Sequence, residues 1–299
     1  MKCVYVYNPT SGKQNSRKKK DYILSKLKTK FDVVDCMATQ KAGDAGVFAK
    51  QACGKYDVFV VSGGDGTMNE VVNALATQEN KPKIGYIPAG TTNDLAHTLR
   101  IPKNVKKAVD IILQGNIVSH DVFRAGEKYG IYVCCFGAFT KSSYLTEQSQ
   151  KKKLGTFAYY KYGIKELFSA KAIPVKFECD GVTEQFDCAL AIISNDKYVA
   201  GYKTNPKSAF DDGKSEVVFV KCKKKKNGKV PFSCFMKIFS IFLFGASGIK
   251  NKKDFLIKKI SRCSIEIPND EVVNLDGEHG FSGSFDYEVL PRHIDIFVK

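Results

Sequence analysis

Residues 61–71 read VSGGDGTMNEV, three glycines and an aspartate set between an apolar run and a segment with helical spacing. The preceding VFVV (58–61) brings the chain in as a buried strand. Gly63, Gly64 and Gly66 permit a sharp turn and leave bare backbone open to a ligand. Thr67, followed three residues later by Glu70, matches a capping box and predicts a helix over 68–76. Free amides at a helix N-terminus attract anions. The stretch therefore predicts a phosphate above Thr67, with Asp65 available to a magnesium ion or its water shell. A strand-to-helix turn shaped by geometry alone is the alternative.

Working outward, MKCVYVY (1–7) is a short apolar strand that stops at NPTSGK (8–13), a turn with hydroxyls, amides and Lys13. A helix over 18–27, a strand FDVVDCMAT, a helix AGVFAKQAC, the strand YDVFVVSGG, the helix TMNEVVNALAT and a strand PKIGYIPAG follow in alternation. This order predicts an α/β domain with a three-layer, parallel-type sheet and its ligand loops at the carboxyl ends of the strands. PAGTTNDLAHTL (88–99) supplies a third such loop, where Thr91, Thr92, Asn93 and Asp94 can start a helix and meet a nucleotide. Neither G-x-G-x-x-G nor the full P-loop spacing is present, so three loops at one sheet edge imply a different nucleotide pocket.

Beyond LRIPKNVKKAVDIILQG, a further helix, the character changes. KYGIYVCCFGAF, IPVKFECDG, EQFDCALAIIS, SEVVFVK and CSIEIP read as strands, with helices near 157–169 and 232–244. Asp180–Gly181 is the strongest local hairpin signal. The division that follows is 1–119 as the α/β nucleotide-binding domain, 120–283 as a β-rich sandwich domain carrying the acceptor site, and 284–299 as a segment returning to the first domain. The active site is expected in the cleft between domains.

The 299-residue chain is long enough for two cores. Its ten cysteines are scattered without C-x-x-C spacing and read as reduced, small apolar residues of a cytosolic protein. The formal charge is +16, with lysine runs at 16–20, 151–153 and 221–226. Such an excess draws a protein toward nucleic acid, nucleotides or an anionic bilayer. The aromatics sit in apolar segments rather than among the lysines, which disfavours nucleic acid. VPFSCFMKIFSIFLFGASG (230–248) is interrupted by Lys237 and is too short to span a bilayer. It reads as a buried core helix or as a surface that shelters a lipid tail or touches a membrane.

YNPTSGK, VSGGDGTMNEVVNAL and GYIPAGTTNDLA together resemble the three nucleotide-site motifs of the diacylglycerol kinase catalytic-domain family, in particular its soluble bacterial lipid kinases. The resemblance continues through FAYYKYGIKEL, FDDG and NLDGEHG to RHIDIFV and spans essentially the whole chain. It implies ATP over Asn8, Thr10 and Ser11, over Gly63, Gly64, Asp65, Gly66 and Thr67, and beside Thr91 and Asp94, with Asp65 on the nucleotide-linked Mg²⁺. It implies Asp276 as the base that deprotonates a lipid hydroxyl and Glu278 as its orienting partner, although a D-G-E sequence is equally an ordinary polar hairpin. Asp211 and Asp212 align with a second, structural Mg²⁺ site, here preceded by Ala209 and Phe210 where the family often has lysine and leucine. The implied reaction phosphorylates diacylglycerol; phosphatidylglycerol, a monoacylglycerol or a long-chain base are alternative acceptors. An NAD kinase or a non-catalytic nucleotide or lipid sensor are alternative functions. The expected setting is cytoplasmic, with transient contact to the inner, anionic face of a membrane, and a homodimer is compatible with the sequence.

Overall fold

The computed structural model describes residues 1–9, 15–138, 170–199, 202, 208–223, 228–245 and 252–299. Four strands form the parallel part of the sheet: β1 (Lys2–Tyr7), β2 (Val33–Ala38), β3 (Val58–Gly63) and β4 (Lys83–Pro88). Every residue of β3 is buried, as a strand covered on both faces requires, and it runs parallel between β1 and β4. β2 closes this edge on β1. Helices α1 (Asn15–Leu27) and α5 (Val105–Gln114) pack together, as do α2 (Asp44–Ala52) and α3 (Asp65–Ala76). α5 has clear ends: Asn104 accepts the Lys107 amide at 3.2 Å, and Gly115 turns the chain with φ +88°. The short α4 (Asp94–Thr98) follows β4 directly.

The remainder is β-rich: β5 (Ile117–Ala125), β6 (Lys128–Gly130), β7 (Val133–Gly137), β8 (Ile173–Cys179), β9 (Val182–Ser194), β10 (Ser215–Lys221), β11 (Phe255–Ile260), β12 (Arg262–Glu266), β13 (Val272–Leu275), β14 (Glu278–Ser282) and β15 (Phe285–Phe297). The residues of β8 alternate inward and outward, and its partner β9 follows through Asp180 and Gly181. Both turn residues have positive φ, the two-residue hairpin geometry that Asp-Gly favours. Inward side chains such as Phe136, Phe177, Phe219 and Tyr287 close a second core. The fold thus has two domains, an α/β N-terminal one and a β-rich C-terminal one.

The domains are joined by shared strands rather than by a linker. β15 pairs with β12 over residues 285–288 and with β5 over 287–290, shifts register between Leu290 and Ile294, and then places Ile296 beside Ile84 of β4. Arg292 takes a left-handed conformation in this bulge and donates its amide to Asp121 at 2.7 Å. The one strand expected over KYGIYVCCFGAF is two, β6 and β7, separated at Ile131 and Tyr132. Their amides turn aside to a carboxylate described below. The helix expected near 157–169, and with it the FAYYKYGIKEL segment, lies outside the described residues.

Ile296 is fully buried at the single β15–β4 pairing. Ile296→Ala should lower unfolding free energy by about 3 kcal/mol. Denaturant titration checks this, and a loss under about 1 kcal/mol would mean that the return of β15 to the first domain contributes little.

Candidate active site at the ends of β3, β4 and β13

α3 begins at Asp65, with Gly64 as its extended N-cap and no side chain capping it. The Met68 amide bonds back to the Gly64 carbonyl at 3.1 Å, so Thr67 lies within the first turn. The capping box expected from Thr67 and Glu70 is therefore corrected: the helix starts three residues earlier. Thr67 instead packs on Gly63, where an added Cβ would stand 2.5 Å from the Thr67 Cβ. The first-turn amides of α3 have no acceptor within the helix, which leaves an anion-binding end.

Asp65 faces the neighbouring helix. Its Oδ2 accepts the Asn93 amide at 2.7 Å and its Oδ1 the Asp94 amide at 3.0 Å, so it caps α4 across the loop. Burial raises its pKa, and the two amides pull it back. Only the lone pairs these amides leave unused are available to a metal. Asn93, fully buried with φ 56°, holds the β4 loop: its Oδ1 accepts the Gly90 amide at 2.9 Å and its Nδ2 donates to the Gly90 carbonyl at 2.8 Å. Gly64 and Gly90 pass so closely that a Cβ on Gly90 would lie 2.7 Å from the Gly64 Cα. These two loops therefore form one floor.

Around that floor, Asn8 donates its amide to the Ser62 carbonyl at 3.1 Å, bringing the β1 loop to β3. Thr91 is exposed, with its carbonyl accepting Lys103 Nζ at 2.6 Å, whereas Asp94 is buried. Thr10, Ser11 and Lys13 lie outside the described residues.

NLDGEHG forms the β13–β14 hairpin. Leu275 pairs with Glu278, and Asp276 and Gly277 are the turn, with φ 52° and 85°. The Asp276 side chain points inward and the residue is 2% exposed. Its Oδ2 accepts Asn69 Nδ2 at 2.9 Å and the Ile131 amide at 2.8 Å, and its Oδ1 accepts the Tyr132 and Val133 amides, both at 3.0 Å. Burial pushes this carboxyl up to about 6 against the pull of those four donors. A carboxylate offers about four acceptor directions, and here four donors use them. Glu278 is exposed and leans over the first turn of α3: its Oε1 stands 3.0 Å from where a Cβ on Gly66 would be.

Asn69 and Asn73 escaped the sequence reading. Asn73 grips the Tyr129 backbone from both sides, accepting its amide at 2.9 Å and donating to its carbonyl at 2.7 Å. Their signal was available: with Asp65 they repeat every four residues along one face of the helix, beside the apolar face of Met68, Val71, Val72 and Leu75.

Asp211 and Asp212 are exposed and apart from this cluster. Asp212 accepts Lys259 Nζ at 3.1 Å and the Lys214 amide at 3.1 Å, so an ammonium already supplies its countercharge. Among the described residues no group of three His, Cys, Asp or Glu side chains could hold a metal ion. The glycine floor and uncapped α3 terminus fit nucleotide phosphates. A divalent ion fits there too if the phosphates provide most of its ligands and Asp65 one, the usual arrangement for Mg²⁺.

Comparison with known proteins decides the family. Residues 2–125 match the diacylglycerol kinase catalytic domain. A diacylglycerol kinase of Staphylococcus aureus (strain bovine RF122 / ET3-1) is 34% identical over 295 residues, 98% of this chain and 90% of that protein. The chain belongs to the diacylglycerol kinase family. The diacylglycerol kinase of Staphylococcus aureus strain MRSA252 matches over the same shares at 34% identity. A crystal structure of a Bacillus anthracis str. Sterne protein assigned to the diacylglycerol kinases superposes with TM-score 0.85 at 26% identity, covering 100% of this chain and 97% of that one. This diacylglycerol kinase family member is a lipid kinase, and membership of a kinase family implies ATP and, typically, a divalent metal.

Gly90→Ala must push the two loops apart, because the added Cβ would meet backbone at 2.7 Å. We expect a stability loss of about 1–3 kcal/mol and weaker nucleotide binding. Calorimetric titration with a non-hydrolysable ATP analogue measures the second effect, and unchanged affinity would show that the Gly64–Gly90 contact does not shape the site.

Proposed function

We propose that this chain transfers the γ-phosphoryl group of ATP to the free hydroxyl of diacylglycerol, giving ADP and phosphatidic acid, with Mg²⁺ on the nucleotide. The observation that carries this reading is Glu278 of the second domain standing over the amide terminus of α3 in the first. An acceptor hydroxyl between them would meet a carboxylate on one side and a phosphate held by backbone amides on the other. Phosphoryl transfer needs alignment and charge stabilisation more than covalent chemistry.

The two carboxylates support the reverse of the division that the family resemblance implies. Asp276 has its acceptor directions filled and little exposure, so it is poorly placed to take a proton from a substrate. Glu278 is exposed at the cleft and is the better general base, with Asp276 as the anchor that positions it. Asp65 would share a nucleotide-bound Mg²⁺ while keeping α4 in place, and Thr67 and the neighbouring amides would hold phosphate. Bound ATP and Mg²⁺ supply the transferable phosphate and the countercharge to the developing anion.

The lipid acceptor lives in a bilayer, and the charge of +16 favours transient contact with an anionic one. Each lysine close to such a surface adds roughly 1 kcal/mol at physiological salt. No helix among the described residues is long and apolar enough to cross a membrane.

Incubation with γ-labelled ATP, Mg²⁺ and a panel of diacylglycerol, phosphatidylglycerol, monoacylglycerol and long-chain base, with mass identification of products, tests the substrate. Phosphatidic acid should dominate; a different phosphorylated lipid would reassign the acceptor, and no product from any lipid would favour a sensor. Glu278→Gln should cut turnover by about 100-fold or more with a stability change within about 0.5 kcal/mol. Asp276→Asn should instead lower stability by about 2 kcal/mol or more, since it leaves buried amides unpaired. A stable, inactive Asp276→Asn beside an active Glu278→Gln would return the base to Asp276.

A further inference from the structure

The helix α6 (Phe232–Phe244) is apolar on two opposite faces. One face, Cys234, Ile238 and Ile241, is buried with the β-strand residues Val218 and Val220. At about 100° per residue, Phe232, Met236 and Phe239 fall on the reverse side. They are exposed by 61%, 62% and 56%. A helix that meets the core with one face normally turns a polar face outward. Here large hydrophobic side chains line the solvent stripe, and among the described residues four of the ten exposed large hydrophobics, Phe232, Met236, Phe239 and Phe244, lie on this one helix.

We propose that α6 docks the protein on an anionic bilayer by sinking Phe232, Met236 and Phe239 into the boundary between headgroups and acyl chains. The charge around the helix selects this occupant. α6 contains no acidic residue, and Lys223, Lys229 and Lys253 at its flanks are exposed. The nearest acid in sequence, Asp254, is paired with Lys237 at 3.0 Å. A second copy of the chain on the same face would set these lysines against their own images across a two-fold axis, with like charges opposed. Anionic headgroups complement them instead. At 13 residues the helix is about 20 Å long, too short to span a bilayer and suited to lying in its plane.

The choice of a lipid surface rests on the lipid-kinase reading, but the test does not. The chain has no tryptophan, so Phe239→Trp introduces a single fluorescent reporter into the full-length protein. With vesicles of phosphatidylglycerol and phosphatidylcholine its emission should shift to the blue and be quenched by brominated acyl chains. Val182→Trp, on the β8–β9 hairpin, should do neither. The triple variant Phe232→Ser, Met236→Ser, Phe239→Ser should lose vesicle affinity by about tenfold for each aromatic removed, or more, and retain turnover on a dispersed short-chain diacylglycerol.

Unshifted emission from Phe239→Trp on sedimented, vesicle-bound protein overturns the proposal. So does a triple variant that binds vesicles as tightly as the parent, including one that changes only from dimer to monomer, which would assign the face to a second copy. Bilayer insertion of the Phe239→Trp reporter in a protein that phosphorylates no lipid would uphold the docking surface and remove the kinase reading.

Discussion

A single buried carboxylate organises the cleft. Asp276 collects one donor from the α3 side chain Asn69 and three backbone amides, those of Ile131 and Tyr132 between β6 and β7 and of Val133 at the start of β7. Left unpaired in the interior, each of those groups would cost about 1–3 kcal/mol. Satisfying them together breaks what would be one long strand into β6 and β7, and fixes the turn at Asp276 and Gly277 against the first domain. The adjacent Glu278 is thereby set over Gly66. The placement of the β13–β14 hairpin at the cleft is a consequence of how one turn residue is hydrogen-bonded.

α3 is the complementary element. Its first turn presents amides to the proposed nucleotide side, Asp65 reaches sideways to cap α4, Asn69 holds Asp276, and Asn73 holds the Tyr129 backbone. A rigid helix therefore connects the β3 loop, the β4 loop and the β13–β14 hairpin. Because β5 and β15 also run through both domains, large hinge motion would have to break strand pairing or these side-chain bonds. The static arrangement already brings the catalytic candidates together without it.

The alternation of strands and helices in the first hundred residues was legible because the buried parallel strands are continuous apolar runs and the helices have 3.6-residue spacing. The Asp180–Gly181 hairpin was legible because few dipeptides accept two positive φ values. What misled was the local signature Thr67-x-x-Glu70, a sound capping pattern that was overridden when Asp65 was drawn to the α4 amides and the helix began earlier. The different surroundings of Asp276 and Glu278 were invisible for a similar reason. Sequence places both carboxylates in one turn, and only the fold shows that one is buried among donors and the other is exposed. Asn69 and Asn73 were overlooked because their partners lie far along the chain, at residues 276 and 129. The segment around α6 was ambiguous between core and surface; its two faces serve as both.

The central claim is that the Asn69–Asp276 bond couples the two domains at the site. A double-mutant cycle of Asn69→Ala and Asp276→Asn, read by denaturant unfolding, tests it most directly. Coupling of about 1–3 kcal/mol is expected for a buried hydrogen bond to a carboxylate. Losses that simply add, within about 0.3 kcal/mol, would mean that the two residues act independently and that the cleft is held by something else.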